Sequence, residues 1–274
     1  MAEEKDVGTV KYETRGRIGI ATLSRPDKLN AFNREMLAEL TAVLDEVEGD
    51  GNVRVLIIRG EGEKAFAAGA DLNLLITLNG KDARDISTFA QRIMTKIEAL
   101  PIPVIAAVQG VAVGGGLELP LACDLILASE GSRLGLVETN LGILPGWGGC
   151  IRLPRRVGLG RAKEMIFSGR LVQAGEALSM GLVDAVFSDD GFEDSIMEYA
   201  KMLSRKSPVS MTLAKSAILR GMDASLEAGL ALEREAFAYC FSMPDAREGI
   251  SAFLEKRPPR FEDDDFAKSH HRAR

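Results

Sequence analysis

Two glutamates and three stretches of small residues hold most of the chemistry available to this sequence. Glu118 follows three consecutive glycines in Gly114-Gly115-Gly116-Leu117-Glu118-Leu119, and Glu138 stands between apolar neighbours at the head of a glycine-rich loop that runs to Gly149. The third stretch, Ala65-Phe66-Ala67-Ala68-Gly69-Ala70-Asp71-Leu72, is small enough to let a ligand approach the main chain closely. Glycines ahead of a helix leave its first N–H groups free to meet an anion, and the helix dipole favours that charge. Gly115 is therefore a candidate donor to a developing negative charge, and Glu118, three residues later, shares its helical face. The apolar flanks of Glu138 favour partial burial, which raises a carboxyl pKa and suits the group to proton transfer.

Each segment also has a plainer reading. Asp71 could simply cap a strand-to-helix connection, and the commonest glutamate is a surface one. The triple glycine has neither the Lys-Ser/Thr ending of a phosphate loop nor the GxGxxG spacing of a dinucleotide fold. His270 and His271, the only histidines, sit in the last five residues, so a Ser-His or Cys-His pair is hard to assemble and proton transfer falls to carboxylates, Lys, Tyr or water. Cys123, Cys150 and Cys240 are odd in number and widely spaced, which argues against a disulfide framework or a zinc site and for core or subsurface positions.

The elements that must position these residues begin as β-α-β. Residues 18–23 (IGIATL) and 53–59 (VRVLIIR) read as strands, and 33–48 as a helix with Met36, Leu37, Leu40, Val43, Leu44 and Val47 on one stripe. A helix over 83–99, closed by Pro101 and Pro103, leads to a nearly all-apolar strand at 103–108, as a parallel sheet buried on both faces demands. A short strand at 124–128 follows the triple glycine and the helical run it opens, which ends near Cys123. From 160 to 256 the chain reads almost wholly as helices, including 193–204, 209–220, 225–241 and 245–256. The expected class is α/β: a sheet-based core over 1–190, a helical region over 191–257 and a polar tail over 258–274 that is expected to be poorly ordered.

With 274 residues, 46 % apolar and 27 % charged, the chain can bury an extensive core and has an ordinary globular balance. Its net charge of −6 gives no general attraction to nucleic acid phosphates. No apolar run approaches the roughly 18 residues of a membrane span, and the first residues lack the pattern of a secretory signal, so a cytoplasmic protein with neither nucleic acid nor membrane as partner is expected.

Taken together, the segments resemble the crotonase, or enoyl-CoA hydratase/isomerase, superfamily, and most of all its enoyl-CoA hydratase branch, over about residues 8–257. Ser-Arg-Pro-Asp-Lys-Leu-Asn-Ala at 24–31 and Ser-Ala-Phe-Leu-Glu-Lys-Arg at 251–257 join the three stretches above in the family's order. The resemblance implies a spiral of ββα repeats with a helical C-terminal region used in trimerisation, as a homotrimer or a dimer of trimers. It implies an acyl-CoA substrate, oxyanion donors at the N–H groups of Ala70 and Gly115, and catalytic roles for Glu118 and Glu138. It implies CoA contacts at Lys28, at the backbone of Ala68, Ala70, Asp71 and Leu72, and at Gly115, Phe253 and Lys256, the last two reaching CoA from a neighbouring subunit in some members. No metal or redox cofactor is implied, since CoA arrives as part of the substrate.

Reversible addition of water to a 2-enoyl-CoA, as in fatty acid β-oxidation, is the implied reaction. A Δ3,Δ2-enoyl-CoA isomerase or another acyl-CoA enzyme of the superfamily is the alternative, and a non-catalytic CoA- or RNA-binding protein is the alternative of a different class. Leu136-Val137 stands where the mitochondrial hydratases have Gln-Pro, and Trp147 replaces a small residue, so the acyl chain length is what these departures leave open.

Overall fold

The computed structural model describes residues 8–261. A β-hairpin of β1 (Val10–Arg15) and β2 (Ile18–Leu23) turns at Gly16 and leads to α1 (Arg34–Gly49), whose N-terminus is capped by the Asn33 side chain accepting the Met36 N–H at 2.8 Å. The apolar stripe of α1 is the one expected: Met36, Leu37, Leu40, Val43, Leu44 and Val47 are all buried. Truncating a fully buried leucine such as Leu40 to alanine in a core of this kind typically costs about 2–5 kcal/mol.

Next come β3 (Val55–Gly60), β4 (Ala65–Ala67), α2 (Leu72–Leu75) and α3 (Gly80–Ala99), then β5 (Val104–Val108), β6 (Val111–Val113) and α4 (Gly115–Glu118). The pattern continues with β7 (Leu125–Ser129), β8 (Arg133–Gly135), α5 (Gly149–Val157) and α6 (Leu159–Ser168). The chain ends through β9 (Val172–Gln173), α7 (Ala174–Ser179), β10 (Ala185–Phe187), α8 (Phe192–Ser204), α9 (Pro208–Met222), α10 (Leu226–Ser242) and α11 (Pro244–Leu254).

Two sheets organise these elements. The first runs β1-β2-β3-β5-β7-β10, parallel from β2 onward, and the second runs β4-β6-β8-β9. Each ββ pair of the repeat gives its first strand to one sheet and its second to the other, so β3/β4, β5/β6 and β7/β8 are three turns of one spiral. β2 and β5 are buried along their whole length, because α1 and α3 cover one face of the first sheet and Phe192, Ile196 and Ala200 of α8 cover the other.

The reading of 160–256 as almost wholly helical is corrected by β9 and β10. At two and three residues they are too short to show a period, yet β10 pairs with β7 at one sheet edge and β9 with β8 in the other sheet. Helix α3 also starts earlier than its apolar pattern, because Asn79 caps it through the Lys81 and Asp82 amides and Gly80 opens it. The helical run after the triple glycine is interrupted as well, with α4 giving way to a 3-10 turn at Pro120–Ala122, where proline removes a donor. No helix among the described residues is long and apolar enough to cross a membrane. At the far end, the Phe261 carbonyl accepts from Arg54 Nη2 at 3.2 Å and the Arg260 N–H donates to Glu248 at 2.7 Å. Residues 262–274, most of the segment expected to be poorly ordered, lie outside the described residues.

Candidate active site

The three chemistry-bearing segments sit at the C-terminal ends of three adjacent parallel strands. Ala68 to Leu72 follow β4, Gly114 to Glu118 follow β6, and Leu136 to Glu138 follow β8, and these strands are neighbours in the order β4-β6-β8. Carboxyl ends of parallel strands are where α/β proteins gather ligand sites. The topology thus brings together segments separated by some seventy residues of chain.

Ala70 lies in a parallel bridge with Phe32, flanked by Phe32 N–H to Gly69 O at 2.8 Å and Asp71 N–H to Phe32 O at 2.9 Å. Gly69 has φ +81°, and a Cβ there would stand 3.0 Å from Val113 O and 3.5 Å from the Gly115 nitrogen, so the two donor segments touch at this glycine. Gly114 has φ +54°, and its Cβ would meet Glu138 Oε1 at 3.0 Å. Only glycine gives this turn both its backbone conformation and its closeness to the carboxylate.

Asp71 caps α2 by accepting the Asn73 N–H at 3.0 Å and binds Arg25 Nη2 at 3.0 Å. The Arg25 guanidinium beside it holds its carboxyl below the usual range. Arg25 also donates to the Ala31 carbonyl at 2.5 Å, tying the 24–31 segment to the same edge. Lys28 is exposed in the 3-10 turn Pro26–Lys28, and Ala68 N–H donates to Leu29 O at 2.9 Å, so the lysine stands beside the Ala68 to Leu72 backbone. Asn30, at φ +55°, secures this turn with its buried side chain donating to Ala65 O at 2.8 Å and Glu61 O at 3.1 Å.

Glu118 is 2 % exposed, and its Oε1 accepts two main-chain donors, Trp147 N–H at 2.7 Å and Gly149 N–H at 2.8 Å. Burial pushes its carboxyl up to about 7, with the charge of Glu138 adding to the rise while the two amides and Arg152 oppose it. Glu138 is 8 % exposed, its Oε2 has no hydrogen-bond partner, and burial raises its carboxyl too, opposed by the main-chain N–H groups of Glu138 itself and Val137. Trp147 packs its six-membered ring against Gly115, where a Cβ would stand 2.6 Å from Cε3, and meets Phe32 edge to face at 5.5 Å. Cys150, half-buried one residue beyond Gly149, has its thiol pushed up by burial and by both glutamates.

The structure thus gathers Ala70, Gly115, Glu118 and Glu138 into one cluster, with Ala68, Asp71 and Lys28 along its edge. Phe253, 83 % exposed on α11, and the exposed Lys256 are not part of it; α11 packs on α10. A separate cleft of about 580 Å3 includes Lys11, Tyr12, Arg59, Glu61 and Glu193 but none of the site residues. Within it Arg59 pairs with Glu193 at 2.5 Å and Lys11 with Glu61 at 2.9 Å. The anchors that sequence reasoning missed are Arg25 on Asp71, Arg152, held by Glu98 of α3 and donating to the Trp147 carbonyl, and Ser87 and Gln91 donating to the Gly146 carbonyl. Only the 24–31 motif held a signal for one of them, because the contacts that α3 makes join residues far apart in the chain.

Two sheets of staggered ββα repeats with main-chain donors and acids at their strand ends define a crotonase-fold enzyme. The chain belongs to the family described as Enoyl-CoA hydratase/isomerase, which it matches over residues 13–264. It is 40 % identical over 252 residues to a short-chain-enoyl-CoA hydratase of Clostridium acetobutylicum, covering 92 % of this chain and 97 % of that one. It is 37 % identical to a crotonyl-CoA hydratase of Syntrophomonas wolfei, covering 91 % and 96 %. The crystal structure of an enoyl-CoA hydratase from Bacillus anthracis superposes with a TM-score of 0.90 at 39 % identity, covering 93 % of this chain and all of that one.

Proposed function

We propose that this enzyme, an enoyl-CoA hydratase of the cytoplasm, adds water across the 2,3 double bond of a 2-enoyl-CoA with Glu118 as base and Glu138 as acid. The thioester oxygen accepts from the Ala70 and Gly115 amides. Glu118 takes a proton from water, the oxygen bonds to C3, and the π pair moves through C2 to the thioester oxygen as an enolate. Glu138 then delivers its proton to C2 as the enolate collapses, and the acids return to their starting states through the next water. The observation that carries this assignment is the unequal setting of the two acids. Burial raises both carboxyls. At Glu118 two amides on Oε1 oppose the rise and leave it at about 7, so that it is part ionised at neutral pH and can take a proton. Glu138, opposed only by main-chain groups of its own turn, keeps a buried Oε2 with no hydrogen-bond partner where a proton can sit. Two fixed donors at the oxygen stabilise charge where it develops, and losing one such donor typically costs about 100- to 1000-fold.

The CoA moiety follows the edge marked by Lys28 and the backbone of Ala68 to Leu72, with no metal or further cofactor in the reaction. Phe253 and Lys256 complete the CoA site from a neighbouring subunit in a homotrimer or a dimer of trimers. Support for that assembly comes from α10, which buries no residue and exposes Leu226, Leu230, Phe237 and Phe241. Loss of the conjugated enoyl absorbance of crotonyl-CoA tests the reaction, comparing wild type with Glu138→Gln. Hydration by wild type and a fall of about 100-fold or more in the variant are expected. An inactive wild type, or conjugation of a 3-enoyl-CoA without hydrated product, refutes it.

A further inference from the structure

The Trp147 amide that serves Glu118 belongs to a peptide gripped from its other end. The Gly146 carbonyl of that same peptide unit accepts from Ser87 Oγ at 2.6 Å and from Gln91 Nε2 at 2.9 Å, both on α3. The following carbonyl, of Trp147, accepts from Arg152 Nη1 at 3.2 Å. Arg152 is itself fixed by two bonds to Glu98 of α3, Nε to Oε1 and Nη2 to Oε2, each at 2.7 Å. Ser87, Gln91 and Glu98 are spaced four and seven residues apart, so α3 presents them on one face to the 146–152 segment.

A peptide's N–H and C=O point opposite ways, so donors on its oxygen set where its hydrogen points, and they polarise that hydrogen further. We infer that Ser87 and Gln91, with the Glu98–Arg152 pair behind them, are positioning residues that aim the Gly146–Trp147 peptide at the catalytic base. This rests on the role proposed above for Glu118. The charged and titratable groups around that carboxyl are Glu138 from the turn after β8, Cys150 and Arg152 from α5, and Glu98, whose charge balances Arg152. None of them touches the Gly146 oxygen, so removing its donors alters the aim of one amide and leaves the local charge as it was.

The test is the pH profile of kcat/KM for crotonyl-CoA in Ser87→Ala/Gln91→Ala, in each single variant and in Ser87→Thr. With one amide loosened, the ionised base is less well held. The limb at which activity appears should move up by about one pH unit, making the double variant roughly tenfold slower near pH 6 and little changed near pH 9. Ser87→Thr keeps a hydroxyl and should restore the wild-type limb. A loss by the same factor at every pH marks mere loop support, and an unmoved limb removes any role; either overturns the inference. If the double variant fails to fold, the single variants decide on the same criterion, with smaller shifts expected. Absence of hydration in wild type would instead defeat the reaction assignment, which keeps the two failures apart.

Discussion

Replacing Glu118 by glutamine should make the protein more stable and nearly inactive, and the gain should depend on pH in a defined way. The carboxyl moves from an ordinary 4.5 to about 7 in the folded protein. Below 4.5 it is protonated in both folded and unfolded chains and costs nothing. As pH rises from there to 7, the unfolded chain releases the proton first, so folding is progressively penalised; above 7 the full penalty is present. A difference of that size corresponds to about 3 kcal/mol.

Glutamine does not ionise, and its amide oxygen can still accept from Trp147 and Gly149, so the variant keeps the two bonds and loses the pH slope. Urea unfolding at a fixed protein concentration is the assay, since subunit association would otherwise shift the midpoint. The stability of Glu118→Gln relative to wild type should grow by about 3 kcal/mol between pH 4.5 and pH 8, a midpoint change of roughly 1 M urea. Cys150, raised from 9.0, titrates above this window and does not contribute. A difference that is flat across the range, or that shrinks as pH rises, would refute the claim that burial rather than the amides dominates the environment of Glu118.

Two further variants probe the walls of the site. Trp147→Ala keeps the main-chain donor to Glu118 but removes the indole from Gly115, so kcat/KM for a medium-chain enoyl-CoA relative to crotonyl-CoA should rise by about 10-fold or more, and an unchanged ratio in steady-state assays would free Trp147 of any part in chain length. Arg25→Gln removes the ties to Asp71 and the Ala31 carbonyl that steady the Ala70 edge, so kcat should fall roughly tenfold with KM nearly constant, whereas a rise in KM alone would place Arg25 in substrate binding instead.

What could be read from the sequence follows the range of each signal. The α1 stripe and the all-apolar β5 are local patterns of a single element, and both were legible from period and composition. The segments around Ala70, Gly115, Glu118 and Glu138 were legible as chemistry because small residues and flanking apolar ones are local too. Gly115 as an anion donor and Glu138 as a proton carrier could be read as candidates, while the pairing of Ala70 with Gly115 and of the two acids on one thioester came only through resemblance. The second sheet was not, because β4, β6, β8 and β9 are two or three residues long and exist by pairing with distant partners rather than by propensity. The same reason hid Ser87 and Gln91. Nothing near them in sequence announces that their donors end on a carbonyl 55 to 59 residues away.

The choice of amides rather than a cation to hold Glu118 has a chemical logic. Burial alone would raise the carboxyl so far that it stays protonated at neutral pH and cannot accept a proton from water. A lysine or arginine in direct contact would lower it toward the ordinary range and make it too weak a base. Two main-chain donors are intermediate: they stabilise the ionised form while bringing no net charge and no side-chain freedom. Arg152 adds a remote positive charge, and Glu98 largely balances it, so its effect on Glu118 is an adjustment. A carboxyl at about 7 is about half ionised at neutral pH and still strongly basic, as the proposed base must be, and on the inference above its strength follows the aim of the peptide units that α3 and α5 hold in place.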